Sequence, residues 1–245
     1  METGSAPKLP WRVARVLDTR PETDTARTIR LAVPGWGGHL SGQHIDLRLT
    51  AQDGYSAQRS YSLAGPTDGD RIDITVQEIA DGEVSPYLMG MPPGEEVELR
   101  GPIGGWFVWR PAEENRVLLV AGGSGIVPLM AMVRQRISLG SSEFRLVYSV
   151  RSPSDVYYAN ELAQLQCDHD WLRVAFIYTR AAPQGSRPPG RVRVDDLAVS
   201  GWTPGHDLRV YVCGPTGFVE SVTAMLVGQG HPPSAVRTER FGPSG

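Results

Sequence analysis

Cysteine is scarce in this chain of 245 residues, which has 2 cysteines, Cys167 and Cys213. They form neither a Cys-x-x-Cys pair nor a spaced cluster, so we expect no disulfide framework, no cysteine zinc site and no iron–sulfur cluster bound by them. The 5 histidines are scattered without the spacing of metal ligands, and we expect each to be a surface or packing residue. This usage favours a reducing, cytoplasmic compartment, and no metal site is expected.

Long apolar runs and an excess of positive charge are also missing. No apolar stretch has the length needed to span a bilayer, and the N-terminus, METGSAPKLP, has no apolar signal core. The net charge of −3 gives no basic field for nucleic acid. With 40% hydrophobic and 21% charged residues, the composition is that of a soluble globular protein with one large or two ordinary domains.

The first half of the chain consists of short alternating segments between turn residues, a pattern that predicts strands. The candidate strands are Arg12–Asp18, Thr25–Val33, His44–Leu49, Gln58–Leu63, Arg71–Glu78 and Glu96–Leu99. Short strands at this spacing predict an antiparallel barrel or sandwich. We assign it to residues 1–110.

The stretch Arg59-Ser60-Tyr61-Ser62 lies on the fourth of these strands. Alternation places Arg59 and Tyr61 on one face and the two serines on the other. A guanidinium can pair with phosphate as a two-pronged fork, a phenol can stack on a flat ring, and a hydroxyl at the strand end can bond a ring nitrogen. The combination suits a flat, phosphorylated ligand, although an ordinary strand can carry the same residues.

A short helix is predicted after Gly82-Glu83-Val84, with Ser85 as its N-cap and Pro86 at its first position. The free backbone N–H groups at a helix start attract anions. The alternative is a capped helix that only closes the end of the barrel.

The second half, residues 111–245, begins with a polar linker at 111–115 and a continuous apolar run, Arg116–Ala121, typical of a buried parallel strand. A glycine turn and a helical pattern follow. Strand, glycine turn and helix are the plan of a dinucleotide-binding fold, in which glycines let the backbone approach a pyrophosphate. Pro128 stands where the usual fingerprint has its third glycine, and proline is tolerated in a first helical turn.

The second strand of this half ends at Ser149 and Arg151, where the common NAD fold has an acidic residue for the ribose hydroxyls. A hydroxyl and a guanidinium there favour the 2′-phosphate of NADP. Arg180, after the third strand, is a second candidate phosphate ligand. The alternatives are that both arginines are solvated loop residues, or that the nearby Asp155 binds the ribose of NAD.

A further buried strand, Asp207–Cys213, runs into Gly214-Pro215 and a helix. Taken alone, Cys213 is a small apolar residue at the end of a strand. The chain closes with a segment that contains Glu239 and Phe241.

Four motifs follow one another along the chain: Arg59-x-Tyr61-Ser62, Gly82-x-Val84-Ser85, Gly122-Gly-Ser-Gly125-x-x-Pro128 and Cys213-Gly-Pro215. In this order they resemble the ferredoxin–NADP reductase superfamily, as does the segment Gly101–Phe107. The resemblance extends over roughly the whole chain beyond Pro10. It implies a six-stranded antiparallel Greek-key flavin-binding barrel, followed by a Rossmann-like parallel α/β domain that binds NAD(P). Trp106 and Phe107 either cover a ring system or pack between the domains.

The resemblance also implies the function. It predicts hydride transfer from C4 of NAD(P)H, with NADPH favoured over NADH, to N5 of FAD, and then single-electron transfer to a separate acceptor such as ferredoxin or a redox-enzyme partner. We expect no fused iron–sulfur domain, no nucleic-acid partner, no membrane insertion and, by default, a monomer. Two alternatives are an enzyme that reduces small acceptors such as flavin, quinone or oxygen, and a non-catalytic electron-transfer or regulatory subunit.

The resemblance assigns roles to individual residues. Ser62, Cys213 and Glu239 are the expected catalytic residues, with Cys213 near the nicotinamide and the C-terminal segment against the isoalloxazine. The expected cofactor-binding residues are Arg59, Ser60, Tyr61, Ser62, Val76, Gln77, Gly82, Glu83, Val84, Ser85, Gly123, Ser124, Gly125, Pro128, Ser149, Arg151, Thr179, Arg180, Cys213, Gly214, Pro215 and Phe241.

Overall fold

Two sheets make up the structure, a computed structural model that describes residues 9–111, 116–199, 201–205 and 207–242. The first sheet has six strands and the second has five. The pairings of the first sheet are antiparallel and those of the second are parallel. The predicted fold class is therefore confirmed, while most of the predicted linker lies outside the described residues.

The first sheet consists of β1 (Arg12–Thr23), β2 (Ala26–Ala32), β3 (His44–Thr50), β4 (Ser56–Ser62), β5 (Arg71–Gln77) and β6 (Glu96–Ile103). Their order is β4-β3-β6-β1-β2-β5, so the chain crosses back to insert β6 between β3 and β1, as in a Greek key. A bridge between Leu63 and Ile74 links the two outer strands and closes the barrel. Its interior is apolar because alternate residues of each strand point inward, among them Ile29, Ile45, Leu47, Ile72, Ile74 and Leu99.

All six predicted strands are present, and the largest difference lies in β1. It continues to Thr23, beyond the predicted end at Asp18. Its first residues pair with β6 and its later residues with β2, and the register shifts between Pro21 and Thr23. Another register shift, between Val16 and Asp18, lies at the predicted end, so the strand bulges there and continues.

The helix that follows β5 corrects one prediction. Helix α1 spans Ser85–Gly90, and its N-cap is Val84 rather than Ser85. The Ser85 hydroxyl does not cap the helix, because its oxygen accepts a hydrogen bond from the Ile79 N–H at 3.0 Å. Pro86 does lie in the first helical turn, as predicted.

The second sheet consists of β7 (Arg116–Gly122), β8 (Phe144–Val150), β9 (Leu172–Tyr178), β10 (Leu208–Pro215) and β11 (Val236–Phe241), in the order β11-β10-β7-β8-β9. Its helices are α2 (Ile126–Ser138), α3 (Ala159–Asp168), α4 (Val194–Leu197) and α5 (Thr216–Gly228). Pro128 is the third residue of α2, in the first turn as predicted. The C-terminal segment, which the resemblance places against the isoalloxazine, forms a strand beside β10.

The turn between β7 and α2 requires glycine for a reason that the sequence does not reveal. A Cβ on Gly125 would lie 2.2 Å from the carbonyl oxygen of Cys213. The missing side chain therefore lets this turn approach the turn between β10 and α5. Gly123, in the same turn, has a φ of +54°, a conformation that side chains disfavour.

The two halves share a hydrophobic core. Phe107 packs edge-on against Tyr211 with ring centroids 5.4 Å apart, and Trp109 packs against Phe144 at 5.2 Å. Phe107 thus packs between the halves, whereas Trp106 is 63% exposed. The division at residue 110 stays a prediction. Within the described ranges, no helix is long and apolar enough to cross a bilayer.

Candidate active site

Four side chains from both halves meet where the barrel contacts the parallel sheet. His44 and Ser62 are cross-strand neighbours of β3 and β4, and Cys213 and Glu239 are neighbours of β10 and β11. Glu239 Oε1 lies 3.7 Å from His44 Nδ1, and Glu239 Oε2 lies 4.0 Å from Cys213 Sγ. We call these four residues the junction cluster. It brings together all three residues predicted to be catalytic.

Ser62 contributes a buried hydroxyl to the junction cluster. Its Oγ atom is buried, and no hydrogen-bond partner lies within reach among the described residues. Buried hydroxyls nearly always have partners, because an unsatisfied one costs about 1–3 kcal/mol. A polar atom of a bound ring would satisfy this oxygen. The Ser62 hydroxyl therefore fits a flavin, and its predicted role in binding and catalysis stays a prediction.

Glu239 has an unusual protonation equilibrium. Burial raises the pKa of its carboxyl to about 7, and its side chain is 18% exposed. Burial also lowers the pKa of His44, against the attraction of the nearby Asp46 charge, so that imidazole is neutral at pH 7. The Glu239 carboxyl can therefore hold or release a proton at neutral pH.

Cys213 is not a reactive thiol in this setting. Its side chain is fully buried, and burial, followed by the charge of Glu239, raises its pKa well above the usual value. A thiol with a raised pKa stays protonated and is a poor nucleophile. Cys213 is therefore a small, neutral side chain packed behind the surface of the site.

His44 is the member of the junction cluster that the sequence does not single out, because the scattered histidines indicate surface or packing roles. Its ring also lies 3.6 Å from the position that a Cβ would take on Gly104. The available signal was the strand pairing, which sets His44 opposite Ser62. The register of an antiparallel pair fixes which side chains are neighbours.

The other residues of the Arg59–Ser62 stretch lie partly in the wall of the barrel and partly on its surface. Ser60 donates a hydrogen bond to Asp46 at 2.7 Å, so this hydroxyl already has a partner in the barrel wall. Arg59 is exposed, and its guanidinium donates to the Gln58 carbonyl at 2.7 Å. Burial raises the pKa of Tyr61 to about 12, against the opposing charge of Arg59, so the phenol is neutral.

The predicted phosphate-binding stretch lies at the end of the barrel beside α1. The Gly82 N–H donates to the Ile79 carbonyl at 2.8 Å, and the Glu83 carboxylate accepts from the Tyr55 hydroxyl at 3.0 Å. Val84 and Ser85 are buried. On β5, Gln77 is exposed, whereas the side chain of Val76 is fully buried in the barrel core. A ligand can therefore contact Val76 only through its backbone.

At the carboxyl end of the parallel sheet, the loops after β8 and β9 join. The Arg180 N–H donates to the Arg151 carbonyl at 2.9 Å, and the Thr179 N–H donates to the Val150 carbonyl at 2.8 Å. These bonds bring the exposed arginines Arg151 and Arg180 together, next to the buried Ser149. An exposed guanidinium can bind a phosphate through charge-assisted hydrogen bonds.

Asp155, the alternative ligand for a ribose, already has a partner. Its carboxylate accepts a hydrogen bond from the Ser152 hydroxyl at 2.5 Å, within the short helical turn Pro153–Asp155. This bond leaves it less free to bind ribose hydroxyls.

The remaining predicted residues lie in the turn after β7, at the end of β10 and on β11. Gly123 and Ser124 are half-buried, and the turn they form lies against the β10 end. Pro215 pairs with Phe241, whose half-buried ring packs against the shared core. In the part of the chain that the structure describes, no group of three or more His, Cys, Asp and Glu side chains could hold a metal ion.

Comparison with known proteins identifies two family domains. The oxidoreductase FAD-binding domain matches residues 22–108, and the oxidoreductase NAD-binding domain matches residues 119–224. The first match includes β4 with the Arg59–Ser62 stretch. The second match includes the glycine turn and Cys213.

Several known proteins are similar to this chain. The ferredoxin–NAD(P)(+) reductase component of the naphthalene 1,2-dioxygenase system of Pseudomonas putida is 29% identical over 210 residues, which cover 83% of this chain and 61% of the relative. A flavohemoprotein of Deinococcus radiodurans is 30% identical over 248 residues, covering 96% of this chain and 59% of the relative. The chain thus spans 61% and 59% of the lengths of these relatives.

A solved structure extends the likeness to the fold. The flavohem-like FAD/NAD-binding domain of nitric oxide dioxygenase from Vibrio cholerae O1 biovar El Tor superimposes with a TM-score of 0.83 at 25% sequence identity. The match covers 95% of this chain and 99% of that domain.

Proposed function

Because the chain belongs to the ferredoxin–NADP reductase superfamily and joins an FAD-binding to an NAD-binding domain, we propose that it oxidises NADPH in preference to NADH and passes single electrons to a separate acceptor protein. When bound, FAD supplies hydride acceptance from the nicotinamide and stepwise release of the electrons. The chain's own residues bind and orient the two rings, exclude water and hold a proton.

The junction cluster is the observation that carries this proposal. It combines a Ser62 hydroxyl, for which the described residues offer no hydrogen-bond partner, with Cys213 and Glu239 from the parallel sheet. The hydroxyl would orient the flavin ring, and the buried neutral thiol would let the nicotinamide pack closely against it. Glu239, whose pKa is about 7, would hold a proton beside the rings.

The preference for NADPH rests on Arg151 and Arg180. Both residues are exposed, and the bond from the Arg180 N–H to the Arg151 carbonyl holds their backbones next to each other. Phosphate binds guanidinium groups through charge-assisted hydrogen bonds, whereas the ribose hydroxyls of NADH have no charge to pair with them. The bond from Ser152 to Asp155 argues against the alternative NAD site.

The first experiment is an anaerobic titration of the purified holoprotein with NADPH and with NADH, followed in the visible spectrum. We expect bleaching of the flavin band by one equivalent of NADPH and weaker reduction by NADH. The variant R151Q should raise the KM for NADPH at least about 10-fold and leave the KM for NADH within about 2-fold, since one charge-assisted contact contributes about 1.5–3 kcal/mol.

Two results would contradict the proposal. If flavin neither copurifies nor binds on addition, the reductase assignment fails. If NADH reduces the flavin as well as NADPH does, or R151Q weakens both nucleotides equally, the preference for NADPH fails while the reductase assignment stands.

A second candidate function has a haem as the electron acceptor. It is favoured by the flavohemoprotein relative, which aligns with 96% of this chain, and by the match to the domain of nitric oxide dioxygenase. Reduction of a b-type haem protein at a rate above that of ferredoxin would support it.

Fast reduction of quinone or free flavin by NADPH and the enzyme alone would instead support a reductase of small acceptors. Failure of the flavin to reduce in the isolated chain would support a regulatory subunit.

A further inference from the structure

A closed ring of hydrogen bonds connects the barrel with helix α3, away from the junction cluster. On the barrel side it includes Glu22, Thr28 and Thr75 from β1, β2 and β5, and on the other side Tyr158, the N-cap residue of α3. All four side chains are at least nine-tenths buried. We call it the Tyr158 ring.

The direction of each hydrogen bond follows from the available protons. The Thr28 hydroxyl donates to Glu22 Oε1 at 2.7 Å, because a carboxylate only accepts. With its proton committed, Thr28 must accept from Thr75 at 2.8 Å, and Thr75 must accept from the Tyr158 hydroxyl at 2.5 Å. The Tyr158 N–H closes the ring by donating to Glu22 Oε2 at 3.0 Å. Each of the three hydroxyl groups in the ring thus donates its proton to one defined acceptor.

The backbone of Tyr158 shows that this position is specified. Its φ and ψ are 57° and 28°, and among the described residues it is the only non-glycine with a positive φ. This left-handed conformation is unfavourable for a bulky side chain and persists where the surroundings hold it. Here it lets the N–H and the hydroxyl of a single residue both reach the barrel.

Helix α2 provides a second contact between the first half of the chain and helix α3. Arg134 donates to both carboxylate oxygens of Glu161, at 2.8 and 2.6 Å, and to the Ala64 carbonyl at 2.5 Å. The Arg134 guanidinium carbon lies 4.7 Å from the centroid of the aromatic side chain of Tyr158. Ala64 follows Ser62 by two residues, and α2 begins at the glycine turn. The contact therefore connects the end of β4 to the proposed nucleotide-binding helix.

We propose that Tyr158 is a positioning residue that fixes the distance and angle between the flavin half and the nucleotide half. The inference rests on the proposed function. Thr75 lies beside Val76 and Gln77 on β5, and Tyr158 follows the loop that carries Arg151. The ring therefore connects a strand of the proposed flavin site to a loop of the proposed nucleotide site. Hydride transfer requires ring separations set to within a fraction of an ångström.

The test compares Y158F with Y157F in the holoprotein and the apoprotein of this 245-residue chain. Y158F removes the proton that starts the ring and keeps the aromatic volume. Tyr157 is a neighbouring buried tyrosine, 4% exposed, so Y157F is a matched control that leaves the ring intact. Amide hydrogen exchange of the apoprotein around residues 156–160 measures how stably the ring is formed when no cofactor is bound. Stopped-flow reduction of the holoprotein by NADPH reports positioning.

We expect amide exchange in this segment to rise about 10-fold in Y158F and to stay unchanged in Y157F. In Y158F the rate constant of flavin reduction at saturating NADPH should fall about 10-fold, because a misplacement of about 1 Å can cost about 100-fold. The dissociation constant for NADPH should change less than about 2-fold, since the nucleotide contacts remain. The charge-transfer absorbance between nicotinamide and flavin should weaken in parallel.

Several outcomes would overturn the proposal. A rate constant within about 2-fold of the unmodified protein, an equal loss in Y157F, or a loss confined to NADPH affinity would each exclude a positioning role. If the unmodified protein is not reduced by NADPH, the proposed function fails, and the exchange measurement still decides whether the ring holds the halves together. If Y158F does not fold, T75V and T75S replace it, and T75S, which keeps the hydroxyl, must restore the rate that T75V loses.

Discussion

At the scale of single residues, Glu239 makes the stability of the protein depend on pH. Its carboxyl has a pKa raised from 4.5 to about 7, so the folded chain binds this proton more tightly than the unfolded chain does. The contribution of Glu239 to the free energy of unfolding therefore falls as the pH rises from 4.5 to 7 and is constant above pH 7. The full decrease is about 3 kcal/mol.

We expect E239Q, which resembles the protonated acid at every pH, to be more stable than the unmodified protein at pH 8 by about 1–3 kcal/mol. The difference should vanish near pH 4.5, and urea denaturation of the apoprotein at both pH values measures it. His44 and Cys213 are the other titratable groups beside this carboxyl, and both stay in place in the variant. E220Q, at an exposed glutamate of α5, is the control, and a difference that did not change with pH would exclude burial as the cause.

The two serines of β4 should respond in opposite ways to replacement by alanine. Ser60 donates to Asp46, whereas the buried Ser62 hydroxyl has no partner in reach among the described residues. S60A should lower the free energy of unfolding of the apoprotein by about 1 kcal/mol, and S62A should leave it unchanged or higher. For flavin affinity, measured by fluorescence quenching, S62A should show the larger loss, of about 10-fold. Equal effects of both variants on flavin binding would contradict the assigned role of Ser62.

Residue chemistry made part of the junction cluster predictable. Motif order and resemblance predict that Ser62, Cys213 and Glu239 belong to one site, and the structure brings them together. His44 was not predicted, because a histidine without metal-ligand spacing has no local signal. Its place depends on pairing between β3 and β4 and on the approach of β11, and both are long-range contacts.

At the scale of elements, the glycine turn after β7 determines how closely two turns can pack. We expect G125A to lower the free energy of unfolding by about 3 kcal/mol, because its Cβ would lie 2.2 Å from the Cys213 carbonyl oxygen and the backbone must move. Thermal or urea denaturation measures the loss. G217A is the matched control, since nothing lies within 4 Å of its Cβ and it is the second residue of α5. Equal losses in both variants would show that close approach is not the reason for glycine.

Strand positions were predictable because alternation repeats along each barrel strand, and all six predicted barrel strands are present. Strand ends and caps were less predictable, since they depend on partners distant in sequence. Ser85 failed as a cap because the Ile79 N–H occupies its oxygen, and β1 continues beyond the predicted end at Asp18 through two register shifts. The strand β11 exists because β10 offers it a parallel edge, which a terminal sequence alone does not reveal.

At the scale of the whole molecule, the shared core predicts that both halves unfold together. Trp109, from the end of the first half, is fully buried and packs against Phe144 of the second sheet. The cluster that contains them also includes Ala26 and Ala64 of the first half and Tyr148 and Tyr211 of the second. Calorimetry of the apoprotein should therefore show one cooperative transition for both sheets, rather than the separate transitions of two independent domains.

The matched variants W109A and W109F test how far this core couples the halves. W109A should lower the free energy of unfolding by about 3–5 kcal/mol and separate the calorimetric transition into two, because it leaves a cavity between the sheets. W109F should cost far less, since it keeps an aromatic ring against Phe144 and removes an indole N–H that is buried without a partner among the described residues. A single transition in W109A would show that other contacts, such as the Tyr158 ring, suffice to couple the halves. An equal loss in W109F would mean that the indole shape, rather than aromatic packing, holds them together.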